Sequence, residues 1–399
     1  MIKISVAEEI WSEIIICHTE YVKTIVNNRL EKVVDVQGLK SKWEQSKYVN
    51  AIELIKKLFG DEKEKRNLNL TKFCISEDLE GIIEEFDRIY KGFYKENITE
   101  DEKITLEGTK EIFKYVMGYE SFNEGTNKLK SSDNFRWSRH DFINKLNIKV
   151  CPYCNRNYIT SYISSKEDIL IGKQRKKTTA DADHYYCKDS YPILAINIYN
   201  LIPSCGVCNS KMKGNKVKDK AGCHLYPYKD DSDALYFSTP FNDIGELYNF
   251  KETEIKIGLN IKPNNNFNTK NKIIKWVAQS REIFKVKGVY KIHMNVKQYN
   301  NYIEKNKIIK RALQSKKIFK LEEVYQIHND IVFDIKEKIK NYGHGDEKYK
   351  KEFIENYKGL FSSYEEFENY SFDFLGKDPN KNPLAKLKQD IYKQIIESN

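Results

Sequence analysis

The sequence predicts an α+β chain in which a short, cysteine-stapled module of strands and turns lies between two mostly α-helical regions. Three observations lead there. All 8 prolines lie at position 152 or later, Cys-x-x-Cys pairs fall at Cys151/Cys154 and Cys205/Cys208, and apolar residues recur at helical spacing on both sides of the pairs. Proline inside a helix removes a hydrogen bond and clashes with the preceding turn, so a long proline-free stretch favours helix.

Residues 1–135 read as a helical region. Ile10, Ile14, Cys17, Tyr21 and Ile25 line one helix face, Leu79, Ile82, Phe86, Ile89 and Phe93 line another, and Trp43 to Phe59 reads as a helix between them. Polar, turn-rich residues 123–133 form a joint before the module at 136–230, which opens on Trp137 to Ile143. Pro152, Pro192, Pro203, Pro227 and Pro240 make that part of the chain loop-rich. Within it, 157–164 and 178–186 read as strands flanking a basic turn, Pro192 to Tyr199 as a short buried helix, Leu201 to Ser204 as a strand and Cys208 to Lys213 as a helix start. Residues 231–399 turn helical again from about Thr269, with Ile273, Trp276, Val277, Ile283 and Phe284 on one stripe. Phe284–His293 resembles Phe319–His328 in wording and suggests a duplicated helical unit.

With 399 residues, 40% hydrophobic and 32% charged, the composition is that of an ordinary globular protein. Lys+Arg number 68 against 58 Asp+Glu, a net charge of +10 that suits a polyanionic partner. No run approaches the roughly 18 apolar residues of a membrane span, and the opening residues lack the basic-then-apolar order of a secretion signal. A cytoplasmic protein with no membrane partner is expected. Four of the 8 cysteines are paired, while Cys17, Cys74, Cys187 and Cys223 are scattered, which favours metal binding in a reducing compartment over a disulfide framework.

Each Cys-x-x-Cys presents two thiolates to one Zn²⁺ from a tight turn, and four thiolates leave no open position, so such a zinc builds structure. Chemistry then falls to Asp183, His184 and Asn209. Phosphodiester hydrolysis needs a base for water, a divalent cation for the leaving oxygen, and anchors that hold both in line. His184 suits the base, with an ordinary pKa of about 6.5. Asp183 and Asn209 offer hard oxygens for Mg²⁺ or Mn²⁺, and Asp181, two residues earlier on the strand, shares Asp183's face. Asn209 is also a good helix cap. Lysines and arginines flank the site, Arg175 and Lys176 before it and Lys211 and Lys213 after it, and are expected to meet a phosphate backbone; alone, such runs read as solvated turns. His293 and His328 read as ordinary core or surface histidines.

The wording Cys151-Pro-Tyr-Cys154, Asp183-His184-Tyr185, Tyr191-Pro-x-Leu-Ala195 and Asn200-Leu-Ile-Pro-Ser-Cys205-x-x-Cys208-Asn209 resembles an HNH (ββα-metal) endonuclease, with Asn209 in place of the last His. It is similar to the HNH effectors of bacterial antiphage defence, such as those of Septu-type and retron-associated systems, over residues 136 to 230. The resemblance implies a zinc-stapled ββα-metal core, Asn200 bracing the loop that carries His184, products with 5′ phosphates and 3′ hydroxyls, and an ATPase partner that senses infection. Related sequences commonly have Pro three residues after the His, where this chain has Cys187, a fifth thiol near the zinc. Two other readings stay open: a zinc-binding nucleic-acid or protein adaptor without catalysis, and a stand-alone site-specific restriction or homing endonuclease.

Overall fold

The computed structural model describes residues 1–34, 46–90, 99–125, 137–163, 176–214, 222–239, 255–259, 296–342, 347–357 and 359–397. Helices dominate, accompanied among these residues by three two-stranded antiparallel sheets. The chain forms two compact units, one of Met1–Ile4, Lys149–Tyr158 and Gly222–Asn399, the other of Ser5–Ile148 and Ile159–Ala221. No described helix is long and apolar enough to cross a membrane.

The second of these units begins with α1 (Glu8–Tyr21), continues through a π turn at Val22–Val26 into α2 (Asn27–Val34), and adds α3 (Ser46–Phe59), α4 (Lys63–Ile75) and α5 (Leu79–Tyr90). Next come α6 (Glu100–Met117), α7 (Tyr119–Glu124) and α8 (Arg139–Leu146). The helix expected over Trp43–Phe59 is present from Ser46, the residues before it lying outside those described, as does Phe93. Apolar burial holds the bundle together. Phe59, Phe86 and Phe113 are fully buried and meet edge to face, Phe59–Phe113 at 6.1 Å and Phe86–Phe113 at 5.9 Å between centroids, with Phe73 at 5.3 Å from Phe59. Burying each such ring contributes about 1.5–3 kcal/mol.

The ends of α6 are set by local chemistry. Thr99 accepts from the Glu102 amide while the Glu102 carboxylate accepts from Thr99, satisfying two amides of the first turn. Gly118 closes the helix at φ 53°, and a Cβ there would run into the Arg29 guanidinium. That left-handed residue ends α6 and directly precedes α7, which begins at Tyr119.

Two hairpins follow. β1 (Ser161–Ile163) pairs with β2 (Lys176–Thr178), and β3 (Asp181–His184) pairs with β4 (Leu201–Ser204), aligning Asp183 with Ile202 and His184 with Leu201. The helix after β4, expected from Cys208, is a π-helix over Val207–Lys213. Pro192 to Tyr199, expected as one helix, forms two separate 3₁₀ turns at Pro192–Leu194 and Ile198–Asn200. Asn197 divides them. Its backbone is extended, its side-chain oxygen caps the second turn at Tyr199 N and Asn200 N, and its amide donates to the Phe73 and Ser76 carbonyls that end α4.

The other unit carries the hairpin β5 (Leu235–Ser238) with β6 (Lys256–Leu259) and six helices among the described residues, from Val296–Ile318 to Ala385–Glu397. Its segment 149–158 forms a tight knuckle in which the Asn155 amide donates to the Cys151 carbonyl at 2.8 Å and the Cys151 amide to the Asn157 carbonyl at 3.0 Å. Asn155 sits at φ 47°, fully buried, and its side chain bonds the Pro379 carbonyl and the Lys386 amide. Tyr153 stacks on Phe319 at 4.5 Å, the Tyr325 hydroxyl donates to the Cys154 carbonyl, and Arg156 bonds His328. Phe319–His328 spans a turn, the helix Leu321–Tyr325 and a 3₁₀ turn. Its sequence counterpart Phe284–His293, with Ile273, Trp276, Val277 and Ile283, lies outside the described residues.

Candidate metal and catalytic site

Cys151, Cys154, Cys205 and Cys208 are buried, and their sulfur atoms all lie within 4.8 Å of one another. Four thiols gathered out of water in this way are the donor set of a closed, tetrahedral site. Among the described residues this is the one group of three or more metal-ligating side chains so placed, and neither Cys187 nor Cys223 belongs to it.

The residues expected to do chemistry lie on β3 and on the π-helix after β4. Successive strand residues alternate, so Asp181 and Asp183 share a face. The π-helix meets both carboxylates: Asn209 Nδ2 donates to Asp181 Oδ2 at 3.1 Å, and Lys213 Nζ donates to Asp183 Oδ2 at 2.7 Å. Lys213 Nζ also reaches the His184 carbonyl oxygen at 2.6 Å. Asn209 therefore touches Asp181 rather than Asp183, and Lys213, read from sequence as a backbone-binding lysine, is buried with its ammonium on Asp183. The Lys213 ammonium lies between a carboxylate oxygen and a carbonyl oxygen, the hard-oxygen donor type that Mg²⁺ and Mn²⁺ take.

His184 ends β3 half-buried. Its Nε2 lies 2.8 Å from the Ala195 carbonyl oxygen. A carbonyl only accepts, so Nε2 carries the proton and Nδ1 the lone pair. Burial pushes the imidazole pKa down to about 3; the Ala195 carbonyl and Asp189 oppose the shift, while Lys188 and Lys213 reinforce it. Tyr119 packs edge-on against the imidazole at 4.5 Å and donates its hydroxyl to the Ala182 carbonyl at 3.3 Å. Arg139 donates to the Ala180 carbonyl at 2.9 Å and lies 3.9 Å from Asp181. Neither Tyr119 nor Arg139 carries a signal in the sequence, since each reaches the site only through the turn or cap before its helix.

Asn200 is fully buried beneath the turn after β3. Its side-chain oxygen accepts from the Tyr186 amide at 2.7 Å, and its amide donates at 3.0 Å to the carbonyls of both Tyr186 and Leu194. Of the other basic residues, Lys211 is exposed, Lys176 lies on β2, and Arg175 falls outside the described residues.

Family models, curated proteins and solved structures were all searched, and none gave a match to this chain.

Proposed function

We propose that this chain is a metal-dependent HNH endonuclease that hydrolyses nucleic-acid phosphodiester bonds, serving as the effector of a bacterial antiphage defence system. The observation that carries the reading is the pair of oxygens, Asp183 Oδ2 and the His184 carbonyl, that together hold a cation at the end of the β3–β4 hairpin, with the unprotonated Nδ1 of His184 at the same strand end. His184 takes the proton of the attacking water at Nδ1. The Ala195 carbonyl fixes the tautomer that leaves this nitrogen free of hydrogen, and Tyr119 limits rotation of the ring. Asn200 keeps the turn beyond His184 in place through its three hydrogen bonds. Mg²⁺ or Mn²⁺ held by Asp183 and the His184 carbonyl, with the Asn209 oxygen as a further ligand, would neutralise charge developing on the leaving 3′ oxygen. Zn²⁺ on the four cysteines has a structural part.

The net charge of +10 and the exposed Lys211 suit a phosphate backbone. The place in defence, and the pairing with an ATPase sensor in the cytoplasm, rest on the motif resemblance. The test is to incubate purified protein with plasmid DNA and with RNA in Mg²⁺ or Mn²⁺, against a chelator of those ions. Metal-dependent cutting that leaves 5′ phosphates and 3′ hydroxyls is expected. Tight binding of either polymer with no cutting in any metal, alone or with the ATPase partner that the resemblance implies, would instead identify a zinc-binding adaptor.

A further inference from the structure

The cation that Asp183 holds is the chain's own. Lys213 ends the π-helix with its side chain 8% exposed against 5% for Asp183, and its ammonium fits between Asp183 Oδ2 and the His184 carbonyl oxygen. We infer that Lys213 is a resident counter-cation that closes the Asp183 site, and that a divalent ion binds there only by displacing this ammonium. The inference rests on the reading of Asp183 as a metal ligand and adds to it a built-in competitor.

A dication and an ammonium ask for the same two oxygens, and positive charges a few ångströms apart inside a protein repel strongly. Asp183 is buried because it is paired, so one cation leaves as the other arrives and the carboxylate is never alone. The lysine stem allows that exchange, since its four-carbon chain carries a point charge without the fixed geometry of a guanidinium. Gly214 follows at φ 43°, and no described atom lies within 4 Å of where its Cβ would be. Lys213 thus weakens metal binding in the resting protein.

The test is Mn²⁺ binding to the full chain, followed by the electron paramagnetic resonance of the free ion. Wild type, Lys213→Gln and Lys213→Met are compared, each also with Asp183→Asn. Gln keeps a hydrogen-bond donor for the buried carboxylate, so it reports even where Met disturbs the helix, and thermal melts verify that the variants are folded. Both Lys213 variants are expected to bind Mn²⁺ about tenfold or more tightly than wild type, and Asp183→Asn is expected to remove that gain. Folded Lys213 variants with unchanged or weaker affinity, beside Asp183-dependent binding by wild type, overturn the inference and leave the metal site standing. Absence of Asp183-dependent Mn²⁺ binding in every chain overturns both.

Discussion

His184 carries the most specific residue-scale consequence. Burial lowers its imidazole pKa to about 3, below the roughly 6.5 of an unfolded histidine. Between those values the unfolded chain binds a proton that the folded chain does not, so the stability contributed by this group is complete above pH ~6.5 and is lost as the pH falls toward 3. His18, buried beside Trp137 and likewise pushed to about 3, acts in the same direction. In its proposed role as the base, His184 would stay unprotonated across the neutral range. The profile of kcat/KM against pH should therefore show no acid limb near 6.5, and a fall centred there would contradict the assignment. Asp183, His184 and Asn200 stood out through the motif resemblance, which implied that Asn200 braces the turn after His184, and its side chain does bond the backbone there. The inward turn of Lys213 was not legible, because a lysine in a basic run reads as solvated, and only the packing of the π-helix on β3 brings it to Asp183.

At the scale of elements, β3 is short, and the turn after it owes its shape to side chains that satisfy backbone groups. Asn200 makes three hydrogen bonds to the turn after β3, all buried. Asn200→Ala strands those groups and should cost about 2–4 kcal/mol in urea unfolding. A loss under about 0.5 kcal/mol would show that water replaces the amide and that the turn needs no brace. Leu201–Ser204 is a strand as expected, but the strand expected over 157–164 covers only Ser161–Ile163, and the one expected over 178–186 is divided at Thr179–Ala180, with Lys176–Thr178 pairing as a strand where a basic turn was expected. The division of Pro192–Tyr199 into two turns was hidden because Asn197 acts through the distant carbonyls of Phe73 and Ser76, a long-range bond that periodicity does not encode. The proline-free start of the chain, by contrast, announced its helices through a local rule that tertiary packing had no reason to override.

For the whole molecule, the four cysteines make the account quantitative. One zinc per chain is expected by elemental analysis, and Cys205→Ser should release it and lower the melting temperature, because metal affinity for a site absent from the unfolded chain adds to folding free energy. Full occupancy in that variant would remove the four-thiolate site. The pairs were legible because two-residue spacing is a constraint of tight-turn chelation, whereas the C-terminal stripe from Ile273 to Phe284 lies outside the described residues. The claim on which the whole account stands is that His184 activates water for phosphodiester hydrolysis. The most direct measurement is the single-turnover rate of nucleic-acid cleavage by wild type and His184→Ala at the same metal concentration. Loss of a general base predicts a rate lower by about 10²-fold or more in the variant, and equal rates would contradict it.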